Sequence, residues 1–359
     1  MTAEATAAAG HQTAGHAAAG APLLSVDELV VQYRSRRGPR ASRQIRAVDG
    51  VSFSLGTGEI LALVGESGCG KTSIVRAIAR LEEPAGGRVL FRGQNIAHVR
   101  RQALRRLRRE IQVVFQDPFE SLDPRLTAFA TVEESLLVHK LGSTRAARRE
   151  HVLATLEQVG LHPAAAIGRR YPHQLSGGQR QRLVIAGAMA LGPDLVIADE
   201  PVSMLDVSLR AGILRLMLDL RDDRGVSILF VTHDLSLAWV VADRVAVVYL
   251  GRLVEIGTTQ EVIRSPLHPY TRALVSVIPV PETGIRRERI LLRGEAPTAS
   301  KIPGGCRFHP RCPRFVVLGE PERCRIEDPV LTATVTRSTA RPADIRGHAV
   351  ACHFAKESS

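Results

Sequence analysis

The hydrophobic and polar positions of this chain alternate between short apolar runs and longer helical stretches. Leu23–Tyr33 has the partial alternation of a half-buried strand, and Val48–Leu55 forms a second that turns at Gly56-Thr57-Gly58. This pair predicts an antiparallel sheet ahead of the main core. Ile60–Val64, Ile111–Phe115, Leu195–Asp199, Ser227–Thr232 and Arg244–Leu250 then read as buried strands, with the core ending near Gly257. Between them, Ser73–Arg80 opens a helix, and the segment from Asp117 to Arg182 is helical with turn-rich breaks at Asp123-Pro124, His162-Pro163 and Tyr171-Pro172. The expected class is α/β: an antiparallel β subdomain, a core sheet and a helical subdomain at about 117–182. No internal repeat is present.

One stretch gives this pattern a chemistry. Gly65-Glu66-Ser67-Gly68-Cys69-Gly70-Lys71-Thr72 has the spacing of a phosphate-binding P-loop, between an apolar strand and a helix that opens with Ser73. Glycines let the backbone curl close enough for its N–H groups to donate to phosphate oxygens. Lys71 is then expected to meet the β and γ oxygens, and the Thr72 hydroxyl to meet Mg²⁺. Cys69 reads as a tolerated filler that is open to oxidation.

Other candidates fall at the ends of the apolar runs, the sheet edge where ligands bind in parallel folds. Gln116 follows one run, Asp199-Glu200 closes another, and His233 follows a third. An isolated Asp-Glu is ordinarily a surface turn. Downstream of a P-loop, Asp199 becomes a candidate for the Mg²⁺ shell and Glu200 for a general base. Tyr33 is a candidate stacking platform for an adenine ring, and otherwise a half-buried strand tyrosine. Ser176, Gly177, Gly178 and Gln179 can start a helix and offer backbone donors to an anion.

Composition narrows the setting. The 359 residues carry a formal net charge of +12 and are 45% hydrophobic, enough for a large core. No apolar stretch reaches the roughly eighteen residues that span a bilayer. The arginines are mostly scattered, apart from six between Arg100 and Arg109 that read, with Leu104 and Leu107, as an amphipathic helix with a solvated basic face. That helix lacks the interleaved aromatics of a base-stacking surface, so no direct nucleic-acid contact is expected. Residues 1–22 are rich in Ala, Gly, Thr and His, lack the pattern of a secretory signal, and read as a disordered leader.

Taken in order, the P-loop, Gln116, Leu175–Gln179, Asp199-Glu200, Ser203–Asp206 and His233 resemble the ATP-binding subunits of ABC transporters. The resemblance is closest to the oligopeptide and dipeptide importers. It is carried by Ala47–Phe53, Phe115–Pro118, Glu200–Ser203 and Pro266–Leu274, while Met204 and Gly187 depart from the residues common in that subgroup. It implies an ABC-type P-loop NTPase core at 23–258 and an extension at 259–359. It further implies ATP and Mg²⁺ as ligands, with Thr72, Gln116 and Asp199 around the metal, Glu200 as general base, Gln116 as a sensor of metal and water, and His233 on the γ-phosphate. Ser176 and Gly178 of a second ATPase subunit, the same or homologous, would close the site, with Asp206 at the seam. Two transmembrane permease subunits, and through them an extracytoplasmic solute-binding protein, complete the implied assembly at the cytoplasmic face of the inner membrane. A soluble ABC-type ATPase acting on nucleic acid or ribosomes is the alternative.

Cys306, Cys312, Cys324 and Cys352 are separated by five, eleven and twenty-seven residues. These gaps do not match the short pairs of a zinc ribbon, whereas an iron–sulfur cluster tolerates varied spacing. Cluster, zinc and free thiols all stay open from spacing. Resemblance to dipeptide-importer ATPases that share the Gly305–Pro313 stretch implies a [4Fe–4S] cluster.

Overall fold

The structure, a computed structural model, describes residues 21–34, 44–278, 289–295, 297–333 and 347–355. Nearly all of the leader expected at 1–22 lies outside the described residues. A four-stranded antiparallel sheet is built from β1 (Leu24–Arg34), β2 (Gln44–Leu55), β4 (Gly86–Phe91) and β5 (Gln94–Asn95), in the order β2-β1-β4-β5. The predicted first pair is present, with Leu24 opposite Leu55 and Arg34 opposite Gln44. A second sheet contains β3 (Ile60–Val64), β6 (Ile111–Val114), β7 (Leu195–Asp199), β8 (Ser227–Thr232), β9 (Arg244–Tyr249), β10 (Arg252–Thr258), β11 (Thr332–Ala333) and β12 (Ala349–Val350). Its order is β11-β12-β10-β9-β3-β8-β7-β6, parallel from β9 through β6 and antiparallel from β9 outward to β11.

The unbroken apolar runs follow from coverage on both faces. Along β3, Ile60, Ala62 and Val64 enter one core with the helices, while Leu61 and Leu63 enter another with β1 and β2. Successive side chains point to opposite faces, so a strand between two layers must be apolar throughout.

Helix α1 (Lys71–Ile78) follows β3, and α2 (Arg101–Glu110) precedes β6. The helical subdomain holds α3 (Pro118–Ser121), α4 (Ala128–Val138), α5 (Arg145–Gln158), α6 (Ala164–Ile167) and α7 (Gly177–Met189). Side-chain oxygens of Thr127, Thr144 and Ser176 cap α4, α5 and α7. Each such cap is worth about 1 kcal/mol. Then come α8 (Val207–Arg224), α9 (Leu235–Val241), α10 (Thr259–Arg264) and α11 (Pro269–Ser276). Among the described residues no helix is long and apolar enough to cross a membrane.

Helix α2 buries Leu107 and half-buries Leu104 while its arginines stay exposed, the amphipathic arrangement its sequence predicts. Arg105, Arg108 and Arg109 donate to the carbonyls of Val138, Arg80 and Leu191. These bonds link the exposed basic face to neighbouring segments.

The core sheet runs on past residue 258. Within β10, Glu255 is fully buried yet satisfied, because its carboxylate accepts the N–H groups of Leu267 (2.9 Å) and His268 (2.8 Å) and faces His348 Nε2 at 2.7 Å.

Candidate active site

Four loops meet at the C-terminal edge of the parallel strands, following β3, β6, β7 and β8. The glycine-rich loop after β3 is held tightly from behind. A Cβ on Gly65 would stand 2.3 Å from the Val248 carbonyl oxygen, and one on Gly70 2.4 Å from that of Ala47, at a φ of 109° that glycine tolerates. Lys71 is 5% exposed and donates to the carbonyls of Gly65 (2.7 Å) and Glu66 (3.0 Å). The ammonium thus rests on weak acceptors that phosphate oxygens can replace. Ser67 and Gly68 are exposed at the rim, and Cys69 is buried beneath, where desolvation raises its thiol pKa.

Asp199 ends β7 and faces the Thr72 hydroxyl. Burial pushes its carboxyl above the usual range, the Thr72 hydroxyl opposes this, and the adjacent Glu200 adds to it. A buried carboxylate facing a hydroxyl is the oxygen donor set that Mg²⁺ prefers, so these residues fit that ion. Glu200 leaves the strand at φ 49°, which turns its side chain across the loop ends. One carboxylate oxygen is 3.2 Å from Gln116 Nε2 and the other 3.1 Å from His233 Nδ1. Gln116 and His233 are themselves exposed. Tyr33 donates to Ser73 Oγ (3.0 Å) and to Glu82, so it stands beside the start of α1.

Ser176–Gln179 form a closed capping turn. Ser176 Oγ accepts the Gln179 N–H (3.3 Å), and Gln179 Oε1 accepts the Ser176 N–H (3.0 Å). Gly178 packs on Leu209 of α8, and Asp206 is exposed at the start of that helix. This group therefore belongs to the α7–α8 surface, and its hydrogen bonds do not join those of the glycine-rich loop. Met204 is 61% exposed, and a Cβ on Gly187 would meet nothing within 4 Å, so neither departure disturbs a contact.

The residues that sequence reasoning missed come from beyond residue 258. Tyr270 Oη accepts the Glu66 N–H (2.9 Å), and Arg311 Nη1 lies 2.9 and 3.1 Å from the two Glu66 carboxylate oxygens. Arg307 donates to the Leu250 carbonyl (2.5 Å) and pairs with Asp49. Burial pushes the Asp49 carboxyl up, but Arg307 outweighs it and holds the pKa below the usual value. The available signal was Glu66 itself, since a carboxylate in an anion-binding loop calls for a cation nearby.

The four C-terminal cysteines, 306, 312, 324 and 352, line a single cavity with His268, Phe308 and Phe315. All are free thiols. Burial pushes Cys306 up to about 12 and Cys312 up to about 11. Among the described residues, no group of three or more His, Cys, Asp or Glu side chains is arranged to hold a metal ion. The cysteines expected to bind metal are thus four free thiols lining one cavity.

A glycine-rich cradle, a buried acid beside its threonine, and a second acid held between an amide and an imidazole define a P-loop nucleotide hydrolase. Comparison with known proteins carries this further. Residues 48–203 match the ABC transporter family, and residues 254–316 match the oligopeptide/dipeptide transporter C-terminal region. The chain is 46% identical over 311 residues to a dipeptide transport ATP-binding protein of Haemophilus influenzae, covering 86% of this chain and 93% of that one. It is 48% identical over 296 residues to an oligopeptide transport ATP-binding protein of Bacillus subtilis, covering 81% and 89%. A dimeric ATP-binding cassette solved after hydrolysis, with ADP and phosphate bound, superposes with a TM-score of 0.58 at 27% identity, over 66% of this chain and 98% of that one. The chain belongs to the ABC transporter family of ATP-binding proteins.

Proposed function

We propose that this chain is the ATP-hydrolysing subunit of a peptide importer, acting at the cytoplasmic face of the membrane with permease subunits and a second ATPase cassette. The observation that carries the reading is Glu200, held between Gln116 and His233 and directly following Asp199, which faces Thr72 and Lys71. The peptide class is supported by the relatives, which are named for dipeptide and oligopeptide transport. A solute-binding protein outside the membrane would supply the cargo.

In this reading Lys71 leaves the Gly65 and Glu66 carbonyls for the β and γ phosphates, and Tyr33 offers a face to adenine. Mg²⁺ would neutralise charge between the phosphates, and Thr72, Gln116 and Asp199 are the residues we assign to it. Glu200 takes the proton of the attacking water, Gln116 orients that water, and His233 steadies the γ-phosphate. Ser176 and Gly178 of the opposing subunit close the site over the nucleotide, with Asp206 at the seam. A helix N-terminus opened by glycines suits that anion. Closure then depends on contacts made only with ATP present, which is what shifts the open and closed populations.

The converging thiols are the donors an iron–sulfur cluster takes, and we keep that cluster as a proposal for this cavity. Iron and sulfide content of anaerobically purified protein tests it, and their absence ends it.

The experiment for the main reading is reconstitution with the permease subunits and binding protein in vesicles. ATP hydrolysis should rise on adding peptide, and Glu200→Gln should bind ATP without turnover. Peptide-independent hydrolysis with no uptake of any peptide would refute the importer assignment.

A further inference from the structure

The loop Cys306–Cys312 faces two ways. Cys306 and Cys312 line the thiol cavity, while Arg307 and Arg311 of the same loop reach the nucleotide side of the core. The loop is braced by its own turn, with the Arg311 N–H on the Phe308 carbonyl (3.0 Å) and the His309 N–H on that of Cys306 (3.0 Å). Phe308 is 1% exposed and packs between Tyr249 and Tyr270, at ring-centroid distances of 5.2 and 5.4 Å.

Two grips on the glycine-rich loop follow. Arg311 and Tyr270 hold Glu66 by its carboxylate and its N–H. Arg307 holds Asp49 and the Leu250 carbonyl, where the Asp49 N–H bonds the Gly251 carbonyl (2.9 Å) and the Gly251 N–H bonds the Cys69 carbonyl (2.7 Å). The first grip ends on a negative charge inside the loop that would receive the triphosphate, and the second reaches that loop through Gly251. Without a cation, that carboxylate would repel an incoming polyphosphate. Arg311 is 10% exposed at its side chain, so solvent screens the pair only in part.

We propose that the C-terminal extension is a built part of the nucleotide site, with Arg311 and Tyr270 as positioning residues that set the shape and charge of the glycine-rich loop through Glu66. This rests on the reading of that loop as the ATP site. The extension then governs how tightly ATP is held and leaves the chemical step at Glu200 alone. The two residues of the pair act with opposite sign: losing Arg311 exposes a negative charge to ATP, and losing the Glu66 charge frees a positive one.

The test uses the full-length chain, titrated with a fluorescent ATP analogue and Mg²⁺, and the assembled transporter for KM and kcat. Arg311→Met should weaken binding and raise KM roughly tenfold, within the usual range of coupling between sites, with kcat changed far less. Arg311→Lys should recover part of the loss. Glu66→Gln should bind ATP more tightly and with a steeper salt dependence, and the double variant Glu66→Gln/Arg311→Met should return most of the way to the native affinity. Binding by Arg311→Met within twofold of native, or a double variant no better than Arg311→Met, would overturn the proposal. If Arg311→Met does not fold, Glu66→Gln decides alone, because unchanged or weaker affinity there excludes the charge argument. Lys71→Ala serves as the control, since native binding by that variant would instead remove the ATP-site reading.

Discussion

Lowering the pH from 7 to 5 should destabilise the protein through one ring, His268. It is 1% exposed and caps α11 by accepting the Tyr270 N–H at Nδ1 (3.0 Å). Burial lowers its pKa from 6.5 to about 4, with nearby Glu255 opposing the shift. Between those values the unfolded chain takes up a proton that the native ring refuses. Stability therefore rises with pH across this window and is lost as pH falls through it. At about 1.4 kcal/mol per pH unit, the loss reaches about 2 kcal/mol at pH 5 and levels off near 3 kcal/mol below pH 4. His268→Asn keeps an acceptor suited to a helix N-cap but does not titrate. Thermal unfolding of both proteins by circular dichroism at pH 7, 6 and 5 separates this ring from the carboxylates, which titrate in both. The native protein should lose roughly 3 °C more than the variant by pH 5. Parallel curves would refute the reasoning.

Glu200→Gln keeps the size of the side chain between Gln116 and His233, so ATP binding should persist while turnover falls by about two to four orders of magnitude. Native turnover in that variant would remove Glu200 as the base. Gly70→Ala forces a Cβ against the Ala47 carbonyl at positive φ, so nucleotide binding and thermal stability should both fall; a variant that binds ATP normally contradicts the packing described. Ser176→Ala removes a helix cap, which should cost about 1 kcal/mol in denaturant unfolding. In the assembled transporter it should also lower hydrolysis while a single chain still binds ATP, and full activity there would show that this turn does not complete a neighbouring site.

What could be read from the chain was whatever depends on local pattern. The run Ile60–Val64 and the glycines after it report their own burial and curvature, and the acids at the end of β7 sit where the sheet edge puts them. The β4 and β5 strands were missed because Gly86, Gly87 and exposed Arg88 dilute any alternation. In β10 the buried Glu255 interrupts the apolar run, and the amides and imidazole that justify it lie 12, 13 and 93 residues away. Arg311 and Arg307 were invisible for the same reason, being 245 and 258 residues from Glu66 and Asp49. Ser176 and Gln179 announced a helix start, but which anion meets it depends on a second surface that one chain does not contain.

The short strands β12 and β11 add to the edge of β10, and the Ala351 N–H bonds the Val254 carbonyl (2.8 Å). Residues 332–333 and 349–351 are thus zipped to the scaffold along their backbone. A protein cut back to the shorter cassette common to its structural relatives would lose the outer edge of its sheet as well as an appendage, and would leave Glu255 as an unanswered charge facing water.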